Sequence, residues 1–329
     1  MRNIRQRLLA LLALGLLASS CYLDVDGPKP GTGLSSEANG YLEQMLFLMR
    51  NYSIKRSTAN WTLIRTTMFG EAEGARTIPD TFKAITAAFT LIGDGHSSYR
   101  AVSGQVLYVP NRTCSAASVA APVARNNIGY VRVSAFGGTG TAATDYAKGL
   151  QDSIRANDRA GLIGWIVDLR GNGGDNMWPM IAGIGPVLGE GLVGHFIDPL
   201  NAISMWEYRD GASLLNGVAR ARVDQPYTLR QPRPRVAVLT DKVVASSGEA
   251  TAIAFRDRGD ARSFGTATCG LSTANQSFFL SDGATLVLTT STMADRSRKA
   301  YGDVVAPDEV IDDPAQTVTR AIAWLETGR

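Results

Sequence analysis

The segment from Val236 to Ala252 has the sequence Val-Ala-Val-Leu-Thr-Asp-Lys-Val-Val-Ala-Ser-Ser-Gly-Glu-Ala-Thr-Ala. Its valine-rich beginning predicts a buried strand, and a short turn then brings Ser246 to the start of a helix. The first N–H groups of a helix have no partner within it, so they can stabilise an oxyanion beside a serine nucleophile. Ser246-Ser-Gly-Glu249 also has the S-x-x-E pattern of a capping box, which simply begins a helix. The segment alone leaves both interpretations open.

The chain around this segment alternates between predicted strands and helices. Strands are predicted at 128–136, 162–169, 235–240 and 284–290, and helices at 141–154 and after Ser246. Before them, apolar residues with a helical period predict helices over residues 41–93. This order predicts an α/β domain with largely buried strands behind a small N-terminal helical region.

Length and charge limit the possible functions. The chain has 329 residues, enough for one large domain and a smaller one. Its formal net charge of +3 comes entirely from Arg2, Arg5 and Arg7, and the remainder balances at 30 basic against 30 acidic residues. A neutral body argues against nucleic acid as the main partner.

The first residues have the pattern of a secretory signal peptide. The three arginines precede an apolar run over Leu8–Leu17, and Ala18-Ser-Ser-Cys21 follows. This ending resembles a bacterial lipobox, in which Cys21 carries a lipid; a soluble exported protein is the alternative. We therefore expect a signal peptide over 1–20, a tether over 21–40, and lipid anchoring to a membrane in the bacterial periplasm or at the cell surface. No later apolar run approaches the length of a membrane-spanning helix.

Cysteine and histidine are too scarce for a structural zinc site. Cys114 and Cys269 are the only other cysteines, and they can pair in an oxidising compartment. There is no C-x-x-C or H-E-x-x-H pattern, so neither a metal nor another cofactor is expected.

One segment matches a dinucleotide-binding fingerprint. Gly138-Thr-Gly-Thr-Ala-Ala143 fits G-x-G-x-x-A between a strand and a helix, and Asp168 ends the next strand, where a ribose-binding acid would lie. Gly137-Gly138 can equally be a simple turn, and export argues against a nicotinamide cofactor. A dinucleotide-binding oxidoreductase is therefore the remote alternative.

Two further segments are candidates for chemistry. Asp168-Leu-Arg-Gly-Asn-Gly-Gly-Asp175 follows a buried strand, and its three glycines allow an anion-binding nest or merely a flexible turn. His96 lies in a loop directly after a helix, where it can be a base or a structural residue. His195 lies between apolar residues and is expected to be a packing residue.

Together these segments resemble one family, the tail-specific (C-terminal processing) and tricorn-core serine peptidases, which also include the interphotoreceptor retinoid-binding proteins. The resemblance runs from about residue 60 to the C-terminus. Its motifs are Gly93-Asp-Gly-His96, Ile128-Gly-Tyr-Val-Arg-Val133, Val167-Asp-Leu-Arg-Gly-Asn-Gly-Gly174, Ala245-Ser-Ser-Gly-Glu249, Phe264-Gly-Thr-Ala-Thr-Cys-Gly270, Asp282-Gly-Ala284 and Ala306-Pro-Asp308.

The resemblance implies a fold and a domain order. The fold is a ClpP/crotonase-like α/β spiral over 128–329, preceded by an N-terminal helical region over 41–100 and a connecting segment over 101–127. Tail-specific enzymes usually carry a PDZ domain between the corresponding motifs. Here only 31 residues separate His96 from Ile128, too few for that module.

The resemblance also implies roles for individual residues. Ser246 is the nucleophile, and the oxyanion donors are the backbone N–H of Ser247 and one from the pair Gly173-Gly174. The lysine base of the tail-specific branch falls at Leu271, so this base is missing.

His96 instead matches the base of the tricorn-like branch, and Asp303 and Asp94 are the candidates for the acid that orients it. With an ordinary histidine pKa of about 6.5, the rate should rise through roughly pH 6 to 7.5.

The family layout brings Cys114 and Cys269 to the rim of the cleft, which predicts a disulfide between them. The resulting prediction is an exported serine peptidase that needs no cofactor and acts on peptides or proteins. The alternative is a non-catalytic relative that binds an apolar ligand or a peptide, as the retinoid-binding members suggest.

Overall fold

The computed structural model describes residues 33–115, 119–122 and 125–328. The predicted signal peptide, Cys21 and most of the predicted tether lie outside these residues. None of the helices within the described part is long and apolar enough to cross a membrane.

The described chain folds into seven α-helices, one short 3-10 helix (Pro79–Thr81) and thirteen strands. The helices are α1 (Ser36–Tyr52), α2 (Trp61–Glu71), α3 (Phe82–Ile92), α4 (Gly140–Asn157), α5 (Met177–Leu188), α6 (Ser247–Ile253) and α7 (Pro314–Thr327). The strands are β1 (Ser98–Arg100), β2 (Val106–Tyr108), β3 (Ile128–Arg132), β4 (Gly164–Asp168), β5 (Gly191–Ile197), β6 (Ile203–Arg209), β7 (Ala212–Leu215), β8 (Val218–Arg222), β9 (Val236–Thr240), β10 (Ala261–Gly265), β11 (Thr273–Phe279), β12 (Thr285–Ala294) and β13 (Glu309–Val310).

A five-stranded parallel sheet forms the centre of the α/β part, with the order β13-β10-β9-β4-β3. Every residue of β4 and β9 is buried, as their apolar sequences predict. Helices α4, α5 and α6 pack on one face of this sheet and α7 on the other. Parallel strands covered on both faces are typical of α/β folds, so the predicted fold class is confirmed.

A second sheet has eight antiparallel strands, with the order β2-β1-β12-β5-β6-β7-β8 and with β11 paired to β12. Of these strands, the sequence predicted only the segment that becomes β12. Most of the others are short or half-exposed, and β8 is exposed at four of its five positions, so they lack the alternation that identifies a strand. The strand β6 does alternate, with Trp206 and Tyr208 buried, but the sequence prediction omitted it.

Helices α1, α2 and α3 pack on one face of this second sheet. Their buried side chains share a core with Tyr99 of β1 and with Leu286 and Leu288 of β12. β12 continues from this core to pair with β5 beside the α/β part. The N-terminal region is therefore joined to the rest of the molecule through one long strand.

Two of the predicted segment boundaries differ from the structure. The helix α1 begins at Ser36, inside the predicted tether over 21–40, because the Ser35 hydroxyl accepts the Ala38 N–H (3.1 Å) and caps the helix. The region predicted as helical over 41–100 ends in strand β1, and the connecting segment over 101–127 contains β2.

Candidate active site

Ser246 lies where β9 passes through a short turn into α6, and its backbone is strained. Its φ of 51° and ψ of −115° place a non-glycine residue in a conformation that costs free energy and is concentrated at functional sites. An ordinary N-cap residue has an extended backbone instead. The Ser246 N–H donates to Glu249 Oε2 (2.8 Å) and the Glu249 N–H donates to the Ser246 hydroxyl, so the capping box that the sequence suggested is present. The strained backbone favours a role beyond capping.

Glu249 holds Ser246 to a second loop. Its buried carboxylate also accepts the Thr268 hydroxyl (2.5 Å) and the Gly270 N–H (2.8 Å). Burial raises the pKa of Glu249 to about 7, although the hydrogen bonds from its donors act in the opposite direction. The sequence pattern identifies Glu249 only as a capping and family residue and does not reveal this connection.

The glycine loop after β4 lies against Ser246. A Cβ added to Gly174 would lie 2.9 Å from Ser246 Cβ and 2.9 Å from Ser247 N, and Gly174 has a φ of 105°. The Gly174 N–H already donates to Asn172 Oδ1 (3.0 Å). Within the described residues, the N–H groups of Gly173 and Ser247 make no hydrogen bond. Of the predicted oxyanion donors, the N–H groups of Gly173 and Ser247 are therefore the two that are available.

Asp168 anchors this loop instead of facing a ligand. Its buried carboxylate accepts two hydrogen bonds of 2.8 Å from the Arg170 guanidinium and one of 3.0 Å from the Tyr130 hydroxyl. A ribose-binding acid needs a free carboxylate, which Asp168 does not have. The geometry gives no support to the dinucleotide-binding alternative.

His96 is held by its ring and by its backbone. Its Nδ1 lies 2.8 Å from Thr273 Oγ1, at the first residue of β11. Its N–H donates to Asp94 Oδ1 (3.0 Å), and its carbonyl accepts from the Asn275 amide (3.1 Å). Burial lowers the pKa of His96 to about 4, and the negative charge of Asp94 offsets only part of this effect.

Neither predicted acid contacts the imidazole through a hydrogen bond in the described residues. Asp94 binds backbone N–H groups and the Ser97 hydroxyl. Asp303 is exposed and paired with Arg112 (2.7 Å); the hydrogen bond from the Val304 N–H, followed by that from Arg112, lowers its pKa. The group on the ring is the Thr273 hydroxyl, which the sequence analysis missed because it did not predict β11.

Leu271 occupies the position of the missing lysine and packs against Ala245, next to Ser246. The same cluster contains Cys114 and Cys269, which form a disulfide with their Cα atoms 5.3 Å apart. The Cys269 N–H donates to Val244 O (2.8 Å), which holds this loop against the segment before the serine.

One stretch of chain connects the two predicted catalytic residues. Gly270 binds Glu249 and thereby Ser246, and three residues later Thr273 binds the His96 ring. No hydrogen bond joins His96 directly to Ser246 within the described residues.

Outside this site, His195 is buried with its Nδ1 2.8 Å from Asp295 O, consistent with the predicted packing role. The described residues contain no cluster of three metal-ligating side chains.

The sequence model of Peptidase family S41 matches residues 127–311. The nisin-resistance protein of Lactococcus lactis subsp. lactis is 25% identical over 287 residues, which are 87% of this chain and 86% of that protein. The carboxy-terminal processing protease CtpA of Bacillus subtilis is 30% identical over 164 residues, which are 50% of this chain but only 30% of that protein.

The fold also matches a solved structure. A lipoprotein from Streptococcus agalactiae superposes with a TM-score of 0.69 at 21% identity, covering 90% of this chain and 98% of that one. At this identity the similarity shows the fold alone.

Proposed function

Because the chain belongs to peptidase family S41, we propose that it is an exported serine peptidase with Ser246 as nucleophile and His96 as general base. The observation that carries the proposal is the strained backbone of Ser246 beside the unengaged N–H groups of Ser247 and Gly173. This arrangement supports stabilisation of the tetrahedral oxyanion. One such donor contributes about 3–4 kcal/mol to the stability of the transition state.

His96 acts as base only with a neutral ring. We assign the proton to Nδ1, which lies 2.8 Å from Thr273 Oγ1, because this tautomer leaves the lone pair of Nε2 free to take the proton of the Ser246 hydroxyl. The protonated ring then gives this proton to the leaving amine, and water repeats the cycle on the acyl-enzyme. Leu271 cannot accept a proton, so the reaction proceeds without the lysine of the tail-specific branch.

The relatives support a location and a first substrate. One of them is named for resistance to nisin, and a structural neighbour is described as a lipoprotein. We therefore propose that this protein acts outside the cytoplasm, anchored through a lipid on Cys21, with peptides as substrates. Nisin is the first peptide to assay.

Fluorophosphonate labelling with mass-spectrometric site assignment tests the nucleophile. We expect the native protein to be labelled at Ser246 and to cleave a peptide substrate. Ser246→Ala should lose both properties and keep a melting temperature within a few degrees, because its backbone N–H still binds Glu249. An unlabelled native protein, or undiminished cleavage by Ser246→Ala, would refute the proposal and favour the ligand-binding alternative.

Cell fractionation tests the anchor. Cys21→Ser should leave the protein unprocessed or release it from the membrane fraction. Unchanged processing and membrane association in this variant would contradict lipidation at Cys21.

A further inference from the structure

The strand β11 has one free edge. It is seven residues long and pairs only with β12 within the described part of the chain. Asn275, Gln276, Ser277 and Phe279 are exposed, and Phe279 exposes 80% of its surface. A free edge presents backbone N–H and C=O groups that can pair with another extended chain.

The other edges of the two sheets are protected. β2 and β13 have only three and two residues, and β8 carries Arg220 and Arg222. The edge of β3 is covered by Arg159, which donates to the carbonyls of Asn126 (2.7 Å) and Ile128 (3.3 Å). Short length, charge and covering groups are how proteins prevent edge pairing.

Within the described residues, β11 is neither short, charged nor covered, and its pairing with β12 is interrupted only by a register shift between Ala274 and Asn275. Its sequence, Thr-Ala-Asn-Gln-Ser-Phe-Phe, contains no charged residue, proline or glycine. An uncovered, uncharged edge of this length invites strand addition, so its retention on the surface indicates a binding function.

The position of β11 indicates what binds there. Its first residue, Thr273, contacts the ring of His96, and Asn275 binds the His96 carbonyl. The stretch just before it contains Gly270, which is connected to Ser246 through Glu249. An extended chain paired with β11 would therefore lie along a strand whose first residue contacts His96.

We propose that a segment of an unfolded polypeptide substrate pairs as an added strand with the free edge of β11. Pairing through the main chain accepts many sequences, and Phe279 offers an apolar contact at the far end of the strand. The cleavage that follows rests on the proposed function, but the pairing itself does not. A second copy of this chain is the less favoured occupant, because pairing between copies would not explain why the open edge begins at His96.

Binding is measured in the Ser246→Ala protein, so that it is independent of turnover. The probe is fluorescein-labelled, unfolded casein, and its Kd is obtained from fluorescence anisotropy. Proline is introduced separately at Gln276 and at Ser277, because successive residues of an antiparallel strand direct their N–H groups alternately to the partner and outward. The substitution that removes the outward N–H should keep the melting temperature, and it should weaken casein binding at least tenfold, or about 1.4 kcal/mol.

Ala219→Pro on the exposed edge strand β8 is the matched control and should leave the Kd unchanged. The proposal would be overturned if Gln276→Pro and Ser277→Pro both fold and both bind casein with the original Kd. Amide hydrogen exchange provides a second measurement that needs no proline. Casein should protect amides of residues 273–279 and not those of 218–222.

Bound casein without protection of β11 would also refute the proposal. So would protection that depends on protein concentration in the absence of casein, because it would indicate pairing between copies. Fluorophosphonate labelling separates the two proposals. A native protein that is not labelled fails as a peptidase, whereas casein binding that depends on β11 would still stand.

Discussion

At the scale of single residues, the surroundings of His96 determine when it can act as a base. Burial lowers its pKa to about 4, because the imidazolium would lose its hydration and Asp94 compensates only in part. The ring therefore stays neutral through the range in which an exposed histidine, with a pKa of about 6.5, becomes protonated.

We predict that kcat/KM is level from about pH 8 down to about pH 5 and falls below that, as the ring of the free enzyme takes up a proton. This revises the rise between pH 6 and 7.5 that an ordinary histidine predicts. A pH–rate profile with a stable substrate checks it, since an inflection near 6.5 would mean that the ring is exposed to water. His96→Ala should lower the rate by about two orders of magnitude or more and remove the inflection.

Thr273 is a positioning residue for the same ring. Its hydroxyl lies 2.8 Å from His96 Nδ1, and the proposed mechanism requires it to accept the Nδ1–H so that Nε2 is free. Thr273→Val should lower kcat by about tenfold to a hundredfold with little change in KM, and Thr273→Ser should restore most of it. Equal activities in the valine and serine variants would show that the hydroxyl does not orient the ring.

At the scale of elements, Glu249 connects the start of α6 to the loop before β11. Its folded pKa of about 7 lies above the value of about 4.5 expected when unfolded, so the folded state binds more protons between these values. The contribution of this group to stability is therefore fully present below about pH 4.5 and is lost as the pH rises to about 7.

Glu249→Gln keeps the shape of the side chain and cannot ionise. We predict that urea denaturation shows a smaller loss of stability between pH 4.5 and 7 for this variant than for the native protein. The same pH dependence in both proteins would contradict the raised pKa. Glu249→Ala should be destabilised at every pH, because it leaves buried donors unsatisfied at about 1–3 kcal/mol each.

The glycine loop after β4 offers a matched pair of substitutions. In Gly174→Ala, the new Cβ would lie 2.6 Å from Ala245 O, and the residue would keep a φ of 105° that alanine rarely adopts. We expect a lower melting temperature and slower labelling of Ser246. Gly173 has no atom within 4 Å of an added Cβ, so Gly173→Ala should keep the native stability. Differential scanning calorimetry compares them, and similar melting temperatures would mean that Gly174 is not packed against the serine.

At the scale of the whole molecule, the disulfide Cys114–Cys269 joins the segment after β2 to the loop before β11. The two cysteines are 155 positions apart in the chain. The chain-entropy estimate for so long a loop is about 5 kcal/mol of stabilisation. We predict a loss of up to about this size in Cys114→Ser/Cys269→Ser. Denaturation of both proteins with and without a reductant checks this loss, because the reductant should destabilise only the native protein. Two free thiols titrated in the exported protein would disprove the pairing.

The amino-acid sequence by itself determined three strands of the parallel sheet (β3, β4 and β9), the turn that carries Ser246 and the glycine loop of residues 168–175. Each depends on a local pattern: an uninterrupted apolar run predicts a buried strand, and the small residues that follow predict a tight turn. Chain order and spacing then related Ser246 and His96 to one family, and Leu271 excluded the lysine base.

Only the tertiary structure decided what surrounds these residues. Thr273 and His96 are 177 positions apart, and β11 has no alternating pattern that would identify it as a strand beside the site. The low pKa of His96 and the raised pKa of Glu249 arise from burial by distant segments. Hydration and strand pairing depend on how separate parts of the chain pack together, so no local pattern in the sequence encodes them.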